Sequence, residues 1–221
     1  MFQFFTPMSK LLLFIASLCL FSFIMLLAKK SSASGKNFSR TGAALAICTA
    51  SLCLVAVQGA LANTPEFFIA SATLCVLFFH SCTDYTDGLT LDLVTYIFVP
   101  CLLALRLCFG VGFFLQGMYG ALTALAVMLA IYLASRGRSG AGDVFVATCL
   151  GSGTFSIAGC ALCLYLAFAI GAVTALTLLL TGKITRQTKI PFAPFLFLGY
   201  AMGTLLMCKF WDYVYLIFPI N

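Results

Sequence analysis

The chain is written in long apolar runs separated by short polar breaks. The runs cover 11–28, 43–62, 67–83, 93–110, 114–134, 156–181 and 191–208, with a shorter piece at 143–152. About twenty apolar residues in a helix cross a hydrocarbon core of roughly 30 Å, so each long run predicts a membrane span. The short piece is different, because ten helical residues rise only about 15 Å. It must be extended, tilted, or buried among the other helices, and it ends at a natural break, Gly151-Ser152-Gly153. The expected architecture is an all-α polytopic membrane protein, a bundle of about eight transmembrane segments of which 143–152 is short.

Composition sharpens this. Of 221 residues, 63% are apolar and 8% charged, which leaves too little polar sequence for a domain outside the bundle. One membrane-embedded domain over 1–221 is expected. Lys10 before the apolar stretch Leu11 to Ala28 imitates a signal peptide. No small-residue cleavage site precedes Lys29-Lys30 and further spans follow, so a retained first helix is expected. The net charge of +6 does not point to nucleic acid, because the Lys and Arg residues are spread over short loops. Cys19, Cys48, Cys53, Cys75, Cys101, Cys149, Cys160 and Cys163 lie inside apolar runs, where cysteine acts as a small, soft core residue. The lone CxxC, Cys160 to Cys163, has no second pair and falls in mid-helix, so neither a disulfide framework nor a zinc site is inferred.

The basic residues also set a topology. Lys29, Lys30, Lys36 and Arg40 fall in loop 29–42, Arg136 and Arg138 in loop 135–142, and Lys183, Arg186 and Lys189 in loop 182–190. All three loops share one side if 143–152 counts as a crossing, and the positive-inside rule makes that side cytoplasmic, with both termini outside. Lys10, Arg106 and Lys209 remain on the other side, and Arg106 is expected to snorkel to the outer interface. The same topology brings "DYTDGLTLD" at 84–92 and the loop carrying Gly140, Gly142 and Asp143 to the cytoplasmic boundary. Four of the six carboxylates converge there, while Glu66 and Asp212 lie opposite.

Two carboxylates in a partly desolvated place do not both ionise easily, so one keeps its proton and the pair titrates as a unit. Such a pair suits aspartic protease chemistry. The ionised member takes a proton from water as it attacks a peptide carbonyl, and the protonated member bonds to the carbonyl oxygen. Asp143 with one of Asp84, Asp87 or Asp92 could form it. Gly140 and Gly142 would admit an extended substrate backbone and tolerate dihedrals closed to other residues. The plainer alternative is a tight glycine loop with Asp143 at a helix N-terminus, where its charge suits the dipole.

"RSGAGDVFVATCLG" at 138–151, followed after a span by "KIPFAPFLFLG" at 189–199, resembles the type IV prepilin peptidase family, membrane-embedded aspartic peptidases with a GxGD signature. The likeness extends through "LQGMYGALTALAVMLAIYLASRGRSGAGD" at 115–143 and to 84–92, and covers about residues 70 to 208. It implies catalytic aspartates at Asp84 and Asp143. Asp92 stands eight positions after Asp84, where the family has Asn or Asp. The resemblance places Pro191 and Pro194 beside the site and implies no cofactor or metal. It implies as partners the lipid bilayer and prepilin or pseudopilin precursors of a type IV pilus or type II secretion system, cleaved at the cytoplasmic face of the plasma (inner) membrane. Leu91 stands where the family has Pro, and Tyr85, Thr86, Asp87 and Gly88 stand where it often has basic residues, which bears on the choice between Asp84 and Asp87. Larger members carry an insertion with paired CxxC motifs linked to methylation. Here the first loop is only "KKSSASGKNFSRTG", which implies a short, peptidase-only form.

His80, one helical turn before Asp84, could orient that carboxylate, though a lone intramembrane His is more often a packing residue. Phe67-Phe68, Phe78-Phe79 and Phe113-Phe114 read as lipid-facing packing and aromatic belts. The competing function is a small transporter or channel with an acidic ion or proton site on its cytoplasmic side, since a short helix with glycines also suits a broken transporter helix. Against it, no second half of the chain repeats the first.

Overall fold

The computed structural model describes residues 7–31, 40–61, 64–87, 92–136, 140–185, 188 and 190–217. Among them are eight helices and no strand: α1 (Pro7–Ser31), α2 (Arg40–Leu61), α3 (Pro65–Asp87), α4 (Asp92–Phe109), α5 (Val111–Ala134), α6 (Ala141–Gly153), α7 (Ile157–Leu180) and α8 (Ala193–Ile217). Each helix falls on one apolar run. By length and composition, α2, α3, α5 and α7 are apolar enough to cross a membrane over Ala43–Leu61, Pro65–Thr86, Val111–Ala134 and Ile157–Leu180. The outer surface is apolar as well, with Leu26, Leu45, Leu133, Tyr165 and Leu180 largely exposed.

Small residues let the helices approach closely. On α7, Gly159, Cys163, Ala167 and Gly171 recur every fourth residue and meet Met207, Gly203, Gly199 and Phe195 of α8 in reverse order, so the two helices run antiparallel. Between α5 and α6 the contact is glycine on glycine, where a Cβ on Gly120 or Gly151 would strike the other's carbonyl oxygen. Aromatic rings join α1, α3 and α8, with Phe21 and Phe78 centroids 4.9 Å apart and Phe78 and Phe197 5.9 Å apart.

The short segment is resolved in favour of burial. Helix α6 has 13 residues, rises about 20 Å, and packs against α3, α4, α5 and α8, with Val144, Val146, Ala147, Cys149 and Leu150 buried. It therefore carries the chain from one end of the bundle far enough for α7 to return. Asp84 near the end of α3 bonds the start of α8, and Tyr96 of α4 packs its ring 5.1 Å from Phe145 of α6. Since α8 begins at that end and α7 is antiparallel to it, the last turns of α3, α5 and α7 all lie at one end of the bundle.

Three expectations need correction. Arg106 does not snorkel outward: its side chain is 0% exposed, the largest fully buried one. Backbone carbonyls that it can reach inside the bundle replace the interface. Phe67 and Phe78 belong to the core, whereas Phe68 is exposed, because neighbouring positions on a helix point about 100° apart. Cysteines divide the same way: Cys82, Cys149, Cys160 and Cys163 are buried, Cys19, Cys48, Cys101 and Cys108 are exposed, and no disulfide joins any of the eleven.

Candidate functional site

Asp84 and Asp143 come together from different helices at the end of the bundle described above. Asp84 sits in the last turn of α3 and is buried. Its Oδ2 accepts a hydrogen bond from the Ala193 backbone N–H at 3.0 Å, with the Phe192 amide beside it. These donors exist because of how α8 begins. The first N–H groups of a helix have no partner inside it, and they present the positive end of the helix dipole. Pro191 precedes the pair and Pro194 follows it in the first turn of α8, where a missing N–H costs nothing. The two prolines thus frame the Phe192 and Ala193 amides, and Asp84 takes the hydrogen bond of Ala193.

Asp143 is the third residue of α6, after the N-cap Gly140. Its backbone N–H bonds the Gly140 carbonyl at 3.2 Å, and its carboxylate takes a backbone hydrogen bond from Gly140 in return. That is half of a capping box, in which an acid at the third position reaches back to the first free amide. The plainer alternative for Asp143 is therefore present in the geometry. It does not use up the carboxylate, which is half-buried and also interacts electrostatically with Asp84.

Gly140 serves by its size. A Cβ there would lie 3.2 Å from Asp143 Oδ2, so its absence lets the carboxylate fold back over the loop. The dihedral argument for these glycines fails. Gly140 has φ −64° and Gly142 is helical, while among the described glycines only Gly110 and Gly182 have positive φ. Asp87 ends α3, one turn beyond Asp84, and Asp92 begins α4. Their side chains, with residues 88–91 between, lie outside the described residues, as do Arg138, Arg186 and Lys189.

His80 does not orient Asp84. Its Nε2 is 3.0 Å from Thr95 Oγ1, which ties α3 to the start of α4, and its Nδ1 is buried without a hydrogen-bond partner. Nor do the described residues contain any group of three His, Cys, Asp or Glu side chains close enough to hold a metal ion.

A second polar cluster, unforeseen in the sequence, lies at the opposite end of α6. The Tyr200 hydroxyl donates to the Gly153 carbonyl at 3.0 Å, and the Thr73 side chain is in hydrogen-bond contact with Tyr200. Arg106 donates to the Thr154 carbonyl at 2.8 Å and to the Phe113 carbonyl at 3.1 Å, with its guanidinium carbon 5.3 Å from the Phe155 ring centre. Only one signal in the sequence could have announced it, a charged residue deep in an apolar run. In comparisons with known proteins, no family model, no curated protein and no solved structure matches this chain.

Proposed function

We propose that the chain is a membrane-embedded aspartic endopeptidase that removes a short basic leader from prepilin- or pseudopilin-like precursors at the cytoplasmic membrane face. One observation supports it above the others: two buried or half-buried carboxylates, 59 positions apart on α3 and α6, interact at one end of an apolar bundle. An isolated helix cap has no need of a second carboxylate beside it, whereas aspartic-protease chemistry uses a pair. The hydrogen bonds support a division of roles. Asp84, held on one oxygen by the α8 amides, is the charged member that accepts a proton from the attacking water. Asp143 carries the shared proton and donates to the carbonyl oxygen as negative charge develops there. The basic loops then face the cytoplasm, where a leader waits beside the membrane-inserted helix that follows it.

The test is cleavage of a membrane-inserted substrate with a basic leader, a glycine and an apolar helix. Asp143→Asn and Asp84→Asn should each abolish cleavage while the protein remains inserted, because an amide neither takes the water proton nor carries the charge. Normal turnover in Asp84→Asn with none in Asp87→Asn would move the first aspartate to Asp87.

A further inference from the structure

Helix α6 is tied at both ends, and only one end carries the carboxylate. At its far end the last carbonyls of a helix are unpaired and bear the negative end of its dipole, which in an apolar interior requires donors from elsewhere. Thr154 caps the Gly151 carbonyl with its own N–H and hydroxyl, and two side chains from other helices serve the carbonyls beyond it. Tyr200 of α8 holds the Gly153 carbonyl and Arg106 of α4 holds the Thr154 carbonyl. Arg106 also reaches the Phe113 carbonyl at the start of α5, so a single guanidinium joins α4, α5 and the end of α6. The fit is close: a Cβ on Gly117 would lie 2.6 Å from Arg106 Cδ, and one on Gly153 would strike the Thr73 side chain.

These contacts divide the work of placing α6. The glycine contact with α5 sets how near the helices lie, but glycine surfaces offer no large side chain to block sliding along the axis. Hydrogen bonds tolerate only a few tenths of an ångström in length, so the bonds at Gly153 and Thr154 restrain the axial position more sharply than apolar contacts such as that of Phe145 with Tyr96. A helix is stiff along its axis. Asp143 lies ten residues before Gly153, about 15 Å away, and shares any axial shift of that end.

We propose that Arg106 and Tyr200 are positioning residues, which clamp the C-terminal end of α6 and so fix the separation of Asp143 from Asp84. The catalytic consequence rests on the peptidase function proposed above, whereas the clamp itself does not.

The experiment therefore measures distance and activity separately. Exposed positions beside the two aspartates, Tyr85 and Ala141, take spin labels through Tyr85→Cys and Ala141→Cys. The seven native cysteines that are not buried are replaced by alanine. In the full-length protein in lipid nanodiscs, Tyr200→Phe and Arg106→Met should lengthen or broaden the label-to-label distance distribution, and Arg106→Lys should restore it in part. Tyr200→Phe, which removes one oxygen, carries the test alone if Arg106→Met does not fold. Without labels, the variants should lose about 10- to 100-fold in kcat on the basic-leader substrate with KM little changed, since misplacing a reacting group by about 1 Å costs on that order. An unchanged distance distribution in the folded variants overturns the clamp. A shifted distribution in a protein whose unmutated form cleaves no leader upholds the clamp and overturns the peptidase function.

Discussion

The backbone N–H of Ala193 stands 3.0 Å from Asp84 Oδ2, a hydrogen bond between residues 109 positions apart that joins the end of α3 to the start of α8. The same carboxylate is thus both a cap for α8 and a member of the candidate dyad. Capping needs an acceptor oxygen, whereas catalysis needs an ionisable one, and substitution separates the two.

Asp84→Asn keeps an acceptor for the α8 amides, so its thermal unfolding in detergent should stay within about 1 kcal/mol of the unmutated protein while cleavage is lost. Asp84→Ala leaves the Ala193 N–H without its acceptor and should destabilise by about 1–3 kcal/mol. Equal unfolding of the two variants would mean that the bond to α8 contributes nothing to stability.

Gly140→Ala tests the reach of Asp143. The φ of −64° and ψ of 134° at Gly140 suit any residue, so backbone strain is absent. The new Cβ would sit 3.2 Å from Asp143 Oδ2 and push the carboxylate aside by a few tenths of an ångström. Cleavage should fall several-fold in kcat, with a stability change below about 0.5 kcal/mol. Full activity in this variant would show that the carboxylate works from another position.

Much of this arrangement was legible in the sequence, and the missing parts share a physical cause. The apolar runs delimit all eight helices, because a segment surrounded by apolar groups must close its own backbone hydrogen bonds. The basic-residue count favours treating 143–152 as a segment of its own, and α6 is a separate helix there. The setting of Arg106 is not legible because its partners are backbone carbonyls, one of them 48 residues away, and every residue type carries a carbonyl. The sequence leaves the choice among Asp84, Asp87 and Asp92 open for a similar reason. Nothing local to 84–92 indicates that unpaired amides arrive from residues 192 and 193, although the proline pair that frames them is plain in "KIPFAP".

The glycine contact between α5 and α6 gives a prediction independent of function. Gly120→Ala places a methyl group against the Gly151 carbonyl and should destabilise by about 1–3 kcal/mol as the helices separate. Gly112→Ala on the same helix meets nothing within 4 Å and should be neutral or stabilising by up to about 1 kcal/mol. Urea or thermal unfolding in a fixed detergent compares the two. Equal effects would mean that α5 and α6 do not approach closely at Gly120.

The last prediction concerns how a leader is held. Asp87 ends α3 one turn beyond Asp84, and the segment 84–92 carries three carboxylates and no basic residue. Under the proposed function, this charge pattern favours a basic leader and would concentrate such a substrate near the dyad. Exposed charges act weakly and are screened by salt, so the loss of one should cost no more than about 1 kcal/mol. Asp87→Asn should therefore raise the apparent KM for a basic-leader substrate several-fold with kcat little changed, as expected when binding is lost equally from the ground and transition states. The difference should shrink as ionic strength rises, because the Debye length falls from about 10 Å at 0.1 M salt to about 3 Å at 1 M. A fall in kcat at unchanged KM would instead put Asp87 in the catalytic pair, and the amides of α8 would then be holding Asp84 for structure alone.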